Sequence, residues 1–163
     1  MTIGQGYLRE FDEEMALTRK FLERVPSAKG EWKPHAKSFS LGHLAQLVSW
    51  MPGWIAETLR KPFIDLAGGS GYGYKKTEEL LKGFDDNVKA AREALNTTPD
   101  KVWSEDWMLK RGDMVLWKAP RNIVVRKHIN HLIHHRAQLG VYLRLNDVAV
   151  PSSYGPSADE RSF

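Results

Sequence analysis

The sequence contains no cysteine. That excludes disulfides, thiolate metal ligands and a cysteine nucleophile within this chain, and it fits a reducing cytosol. Long apolar runs are missing as well: no stretch approaches the roughly 20 apolar residues that a membrane-spanning helix needs. The first residues, MTIGQGYLREFDEEM, lack the basic start and apolar run of a signal peptide. A cytoplasmic protein without membrane partners is expected. Strong charge of one sign is also absent. Lys and Arg number 24 against 20 Asp and Glu, for a net charge of +4. The basic residues are dispersed among acids, so they read as solvated helix faces and not as a nucleic-acid patch. No HExxH occurs, which removes the zinc-protease arrangement. Gly68 and Gly73 have the spacing of a phosphate loop, but Tyr74 stands where that loop needs lysine, and no buried strand precedes it. The segment 61–75 instead reads as a mobile loop placed to cover a pocket.

What remains is an ordinary globular composition, 42% apolar and 27% charged over 163 residues, which suits one domain spanning 1–163 with a real core. Apolar residues recur at steps of three and four in four segments, the helical signature. Leu8, Phe11, Met15, Thr18, Leu22 and Val25 mark a helix from Tyr7 to Val25, ended by Pro26 and Gly30. A second helix runs from Leu41 to Arg60 with Ser40 as its N-cap. It carries two stripes, Leu44-Val48-Met51-Ile55 and His43-Leu47-Trp50-Trp54, and Pro52 predicts a kink near Val48. Leu80, Leu81, Phe84, Val88, Ala91 and Leu95 mark a third helix over 77–95. A fourth runs from Arg121 to Leu145, with Pro120 suited to its first turn, and the tail from Asn146 is irregular. Between the third and fourth helices, residues 107–109 and 114–117 suggest a small hairpin turning around Lys110, Arg111, Gly112 and Asp113. The expected fold is all-α, a four-helix bundle with a small β-hairpin.

Four of the six histidines lie between residues 128 and 135. His131 and His135, four apart on a helix, stand on one face one turn apart, the usual spacing for two imidazoles that share a metal. His128 lies near the same stripe, His134 about a quarter turn away. Two imidazoles bind weakly, so a third ligand must come from elsewhere. His43, in the first turn of the second helix and in line with Leu47, Trp50 and Trp54, is the best candidate. Core or surface histidines without a metal are the alternative reading of the same spacing.

The stretch Asn130-His131-Leu132-Ile133-His134-His135-Arg136-Ala137-Gln138 resembles the fourth-helix signature of the DinB/YfiT-like family. Ser40-Leu41-Gly42-His43-Leu44-Ala45-Gln46-Leu47 resembles its second-helix signature, and Tyr154-Gly155-Pro156-Ser157-Ala158-Asp159-Glu160 is similar to tails in that family. The resemblance spans nearly the whole chain. It implies a four-helix bundle, usually a homodimer, with a divalent metal, zinc or nickel, on positions matching His43, His131 and His135. Ala137 departs from the glycine often found after the arginine and narrows the space beside the ligands. The family includes thiol-dependent transferases and isomerases that use low-molecular-weight thiols, and the resemblance implies no role in DNA repair.

These readings combine into an expected metal-dependent transferase acting on a small electrophilic substrate, with a small thiol as cosubstrate. Trp50, Trp54 and Tyr74 are expected to line the substrate cleft, with plain core packing as the alternative for the tryptophans. Arg136 is expected to hold an anionic group or to form a surface salt bridge. The rival readings are a hydrolase using metal-activated water and a non-enzymatic bundle whose metal is structural or sensory.

Overall fold

A computed structural model of the chain describes residues 1–68, 71, 73 and 76–161. Its long elements are four helices: α1 (Ile3–Glu23), α2 (Leu41–Arg60), α3 (Thr77–Thr97) and α4 (Arg121–Leu145). Helix α2 packs on both α3 and α4, and α1 packs on α3 and α4. The shared core contains Phe11, Leu22, Leu44, Val48, Phe84 and Ile129. Among the described residues, no helix is long and apolar enough to cross a membrane.

Helices α2 and α4 begin and end at the residues expected from the sequence. The Ser40 hydroxyl caps α2 by accepting from the His43 N–H at 3.2 Å. The helix continues through Pro52. Asn87 of α3 donates to the Ser49 carbonyl at 3.0 Å, one turn before the proline. Helix α1 starts earlier than Tyr7, because Thr2 and Gln5 form a capping box. The Thr2 hydroxyl accepts from the Gln5 N–H, while Gln5 Oε1 accepts from the Thr2 N–H. Gly4 is required at this start: a Cβ there would lie 1.9 Å from the Leu95 carbonyl oxygen of α3.

The hairpin is real and longer than expected. Strand β2 (Asp106–Arg111) pairs antiparallel with β3 (Met114–Pro120). Pro120 therefore closes β3 and precedes α4 instead of sitting in its first turn. Gly112 turns the hairpin at φ +58°, a conformation that glycine adopts without strain.

A correction falls on segment 61–75, expected to be loop throughout. Phe63–Asp65 form β1, which pairs parallel with β2 and completes a three-stranded sheet in the order β1-β2-β3. The Asp65 carboxylate fastens this strand to the hairpin by accepting from the Ala67 N–H at 2.9 Å and the Gly112 N–H at 3.0 Å. Those two donors, Ala67 first, pull its pKa below the usual carboxylate value, with Lys110 adding a smaller effect. β1 does precede the glycines of the phosphate-loop spacing, but it is a half-exposed edge strand. Gly69 and Tyr74 lie outside the described residues.

Candidate metal centre and adjoining cavity

The faces of α4 explain its chemistry. Val125, Ile129, Leu132, Leu139 and Leu143 recur at helical steps and are fully buried. Arg136 occupies the missing step of that stripe and is only 2% exposed. A second stripe, about a quarter turn around the helix, carries His128, His131, His135 and Gln138. A third face leaves Ile123, Val141 and Leu145 exposed.

On the second stripe, the Nε2 atoms of His131 and His135 stand 2.9 Å apart. Nδ1 of His135 pairs with Gln138 Oε1 at 2.7 Å. Because an amide oxygen only accepts, this contact places the His135 proton on Nδ1 and leaves Nε2 with its lone pair directed at His131. Burial is the first cause that lowers the pKa of both imidazoles. The neighbouring His135, His134 and Lys127 add to it for His131. For His135 the Gln138 contact opposes the shift in part. Both rings are thus biased to the neutral form, the form that ligates metals.

His43 is half-buried, with its ring 4.2 Å from that of Phe39. Burial, then Lys33, lowers its pKa as well. Helices α2 and α4 run antiparallel: Arg121 Nε donates to the Thr58 carbonyl at one end, and the Tyr142 hydroxyl donates to the Phe39 carbonyl at the other. One helical turn on from Phe39, His43 is therefore level with the α4 turn that follows His135. The structure brings His131 and His135 together. Among the described residues it gathers no group of three or more His, Cys, Asp or Glu side chains able to hold a metal.

The other expected site residues separate. Trp54 lies beside the histidines, its ring 5.8 Å from His128 and 6.0 Å from His131. Trp50 instead lines a different cleft, between α2 and α3, with Ser49, Glu79 and Gly83. Tyr74 is outside the described residues. Arg136 is neither at the surface nor beside the paired imidazoles. Its guanidinium donates to the Glu14 carboxylate at 2.6 Å, to the Glu14 carbonyl and Thr18 hydroxyl of α1, and to the Tyr154 hydroxyl at 3.0 Å. Tyr154 in turn donates to Glu14 at 2.7 Å. Arg121 is a second cation expected on a solvated face that proves buried. It reaches the Thr58 carbonyl and Glu105.

Residues overlooked in the sequence complete the site. The inner face of the sheet presents Ile64, Trp107, Leu109 and Trp117 to Trp54 and His131, enclosing a cavity of about 450 Å³. His128 stands in its wall, edge-on to Trp107 at 6.1 Å, with Nε2 3.1 Å from the Thr58 hydroxyl. Burial, then His131, pushes its pKa down to about 4. Lys127 lies at the edge of the cavity with its ammonium 4.5 Å from the Trp117 ring centre.

These features define a small helical protein with a paired-imidazole face beside an aromatic cavity. The model of the DinB family matches residues 2–162, and the chain belongs to that family. It is 21% identical over 154 residues to the Bacillus subtilis (strain 168) protein named "Uncharacterized protein YrdA", covering 94% of this chain and 89% of that one. The fold is similar to that of a DinB-like protein from Bacillus cereus, with a TM-score of 0.72 and 23% identity over 92% of this chain and 97% of that chain. It is also similar to the DinB-like protein YjoA from B. subtilis, with a TM-score of 0.69 and 13% identity over 97% and 99% of the two chains.

Proposed function

We propose that this chain is a metal-dependent enzyme whose four helices form a bundle around a divalent cation site on His43, His131 and His135. The observation that carries the reading is the imidazole pair, with Nε2 atoms 2.9 Å apart and one tautomer set by Gln138. Two nitrogen ligands at about 2.05 Å have their donor atoms about 2.9 Å apart at a right angle and about 3.3 Å apart at the tetrahedral angle, so the pair needs to separate by at most about 0.4 Å to take adjacent positions on one ion. Gln138 acts as the outer partner that orients a ligating histidine and raises its basicity. His43, biased to the neutral form by burial and level with the next turn of α4, is the third ligand. Zinc and nickel suit an all-imidazole donor set.

A bound divalent cation supplies positive charge that lowers the pKa of a thiol or a water at its open position. The protein does the rest. His131 is exposed and lines the cavity, which leaves room for a substrate beside the ligands. Trp54 and the sheet exclude water from that side. The reaction we favour is S-transfer: a low-molecular-weight thiol gives its proton to solvent, and its sulfur forms a bond to a small electrophile as a leaving group departs with its electron pair. Ile123, Val141 and Leu145, exposed on one face of α4, lie on the surface where a second copy packs in a homodimer. The test is turnover of electrophiles by zinc- or nickel-loaded protein with and without small thiols. Thiol-dependent product that disappears in His135→Ala supports the reading, and equal product without thiol refutes the transferase assignment.

A further inference from the structure

The cavity beside His131 has a chemistry of its own. Three indole rings and three aliphatic side chains form most of its walls: Trp54 from α2, Trp107 and Leu109 from β2, Ile64 from β1, Trp117 from β3, and Leu66 just after β1. Leu109 pairs with both Ile64 and Trp117 across the sheet, so these side chains share one face. Trp107 and Trp117 meet edge to face at 6.3 Å. The volume of about 450 Å³ falls within the range of small-molecule sites. Among the described residues the lining contains no acid. Its one full positive charge is Lys127, which has no carboxylate partner among the described residues and rests over Trp117. The Trp107 indole N–H is buried without a hydrogen-bond partner among the described residues. Apolar walls that accept flat rings, a lone cation at the edge and no opposing anion select for one kind of molecule.

We propose that this cavity binds a flat, apolar organic acid, with its ring system among Trp54, Trp107 and Trp117 and its anionic group at Lys127. This names the substrate class of the site proposed above and rests on that reading for the role of His131. Binding itself needs only the cavity. The experiment is therefore calorimetric titration of EDTA-treated protein with 1-naphthoate and with the neutral 1-naphthylmethanol. Naphthoate binds about fivefold tighter, the size of a partly exposed charge contact. Lys127→Met brings the two affinities together, and Leu109→Trp, which fills the cavity, weakens both more than tenfold. A separate measurement in the wild type avoids dependence on variant folding: naphthoate shifts the indole N–H resonances of Trp107 and Trp117. Equal binding of acid and alcohol, unaltered affinity in a folded Leu109→Trp, or unmoved indole resonances overturns the proposal. Naphthoate binding by a protein that fails to take up zinc or nickel rejects the metal reading alone. Metal uptake without naphthoate binding rejects the cavity proposal alone.

Discussion

Replacing Glu14 with alanine tests what Arg136 is for. The guanidinium is buried, and Glu14, 2.6 Å away, is its only carboxylate partner among the described residues. Removing the Glu14 carboxylate leaves a full positive charge in the core, with the residue-14 carbonyl, the Thr18 hydroxyl and Tyr154 as its remaining partners among the described residues. Breaking one side of a buried, hydrogen-bonded pair costs about 3–5 kcal/mol. At about 2–4 °C per kcal/mol for a chain of this size, Tm falls by about 10 °C. Denaturant melts of wild type, Glu14→Ala, Arg136→Met and the double variant form the assay. Glu14→Ala is the worst of the set, and the double variant recovers much of the loss because no unpaired charge remains. Tyr154→Phe removes one donor to Glu14 and one acceptor from Arg136, and it costs about 1–2 kcal/mol. A loss below about 1 kcal/mol in Glu14→Ala would refute the structural role and return Arg136 to consideration as a substrate anchor.

Three further outcomes follow from the geometry. In metal-free protein, His128 titrates near pH 4, against 6.5 for an unperturbed imidazole, readable by NMR. Its folded pKa is depressed, so the unfolded chain takes up a proton first. Stability is therefore whole above pH 6.5 and falls by about 3 kcal/mol as pH drops towards 4, a slope that His128→Asn removes. Gly4→Ala places a methyl group 1.9 Å from the Leu95 carbonyl oxygen, so the start of α1 must shift and stability falls by about 2 kcal/mol in thermal melts. Asp65→Ala frees the Gly112 N–H, which then exchanges faster with deuterium while the helical core keeps its protection.

Much of this fold was legible because it is local. The bounds of α2 and α4 followed from Ser40, from apolar periodicity and from Pro120. The same signals placed the core faces of α1 and α3. The start of α1 was legible in Thr2-x-x-Gln5, a capping-box pattern that Gly4 and Gly6 obscured. β1 was not legible: Phe63-Ile64-Asp65 is three residues long, and its parallel partner Met108 lies far along the chain. The cavity shares that cause, since Trp107, Leu109 and Trp117 face it only because the sheet folds over α4. Arg136 shows a different failure. Its spacing from Leu132 and Leu139 put it in the buried stripe, but its residue type suggested the surface, and the acid that accommodates it lies on α1. For the candidate site, the His131–His135 step gave the pair, and Gln138 was readable as the residue three beyond His135. No spacing rule reaches from α4 to His43.

The most direct measurement is metal content of purified protein after zinc or nickel loading and desalting, run alongside His43→Ala, His131→Ala, His135→Ala and Gln138→Leu. The account predicts one ion per chain in the wild type and loss of stoichiometric metal in each histidine variant. It predicts at least tenfold weaker retention in Gln138→Leu, the size expected for losing a partner that orients a ligating histidine. A wild type without stoichiometric metal, or histidine variants that hold it as tightly as the wild type, would contradict the three-histidine centre.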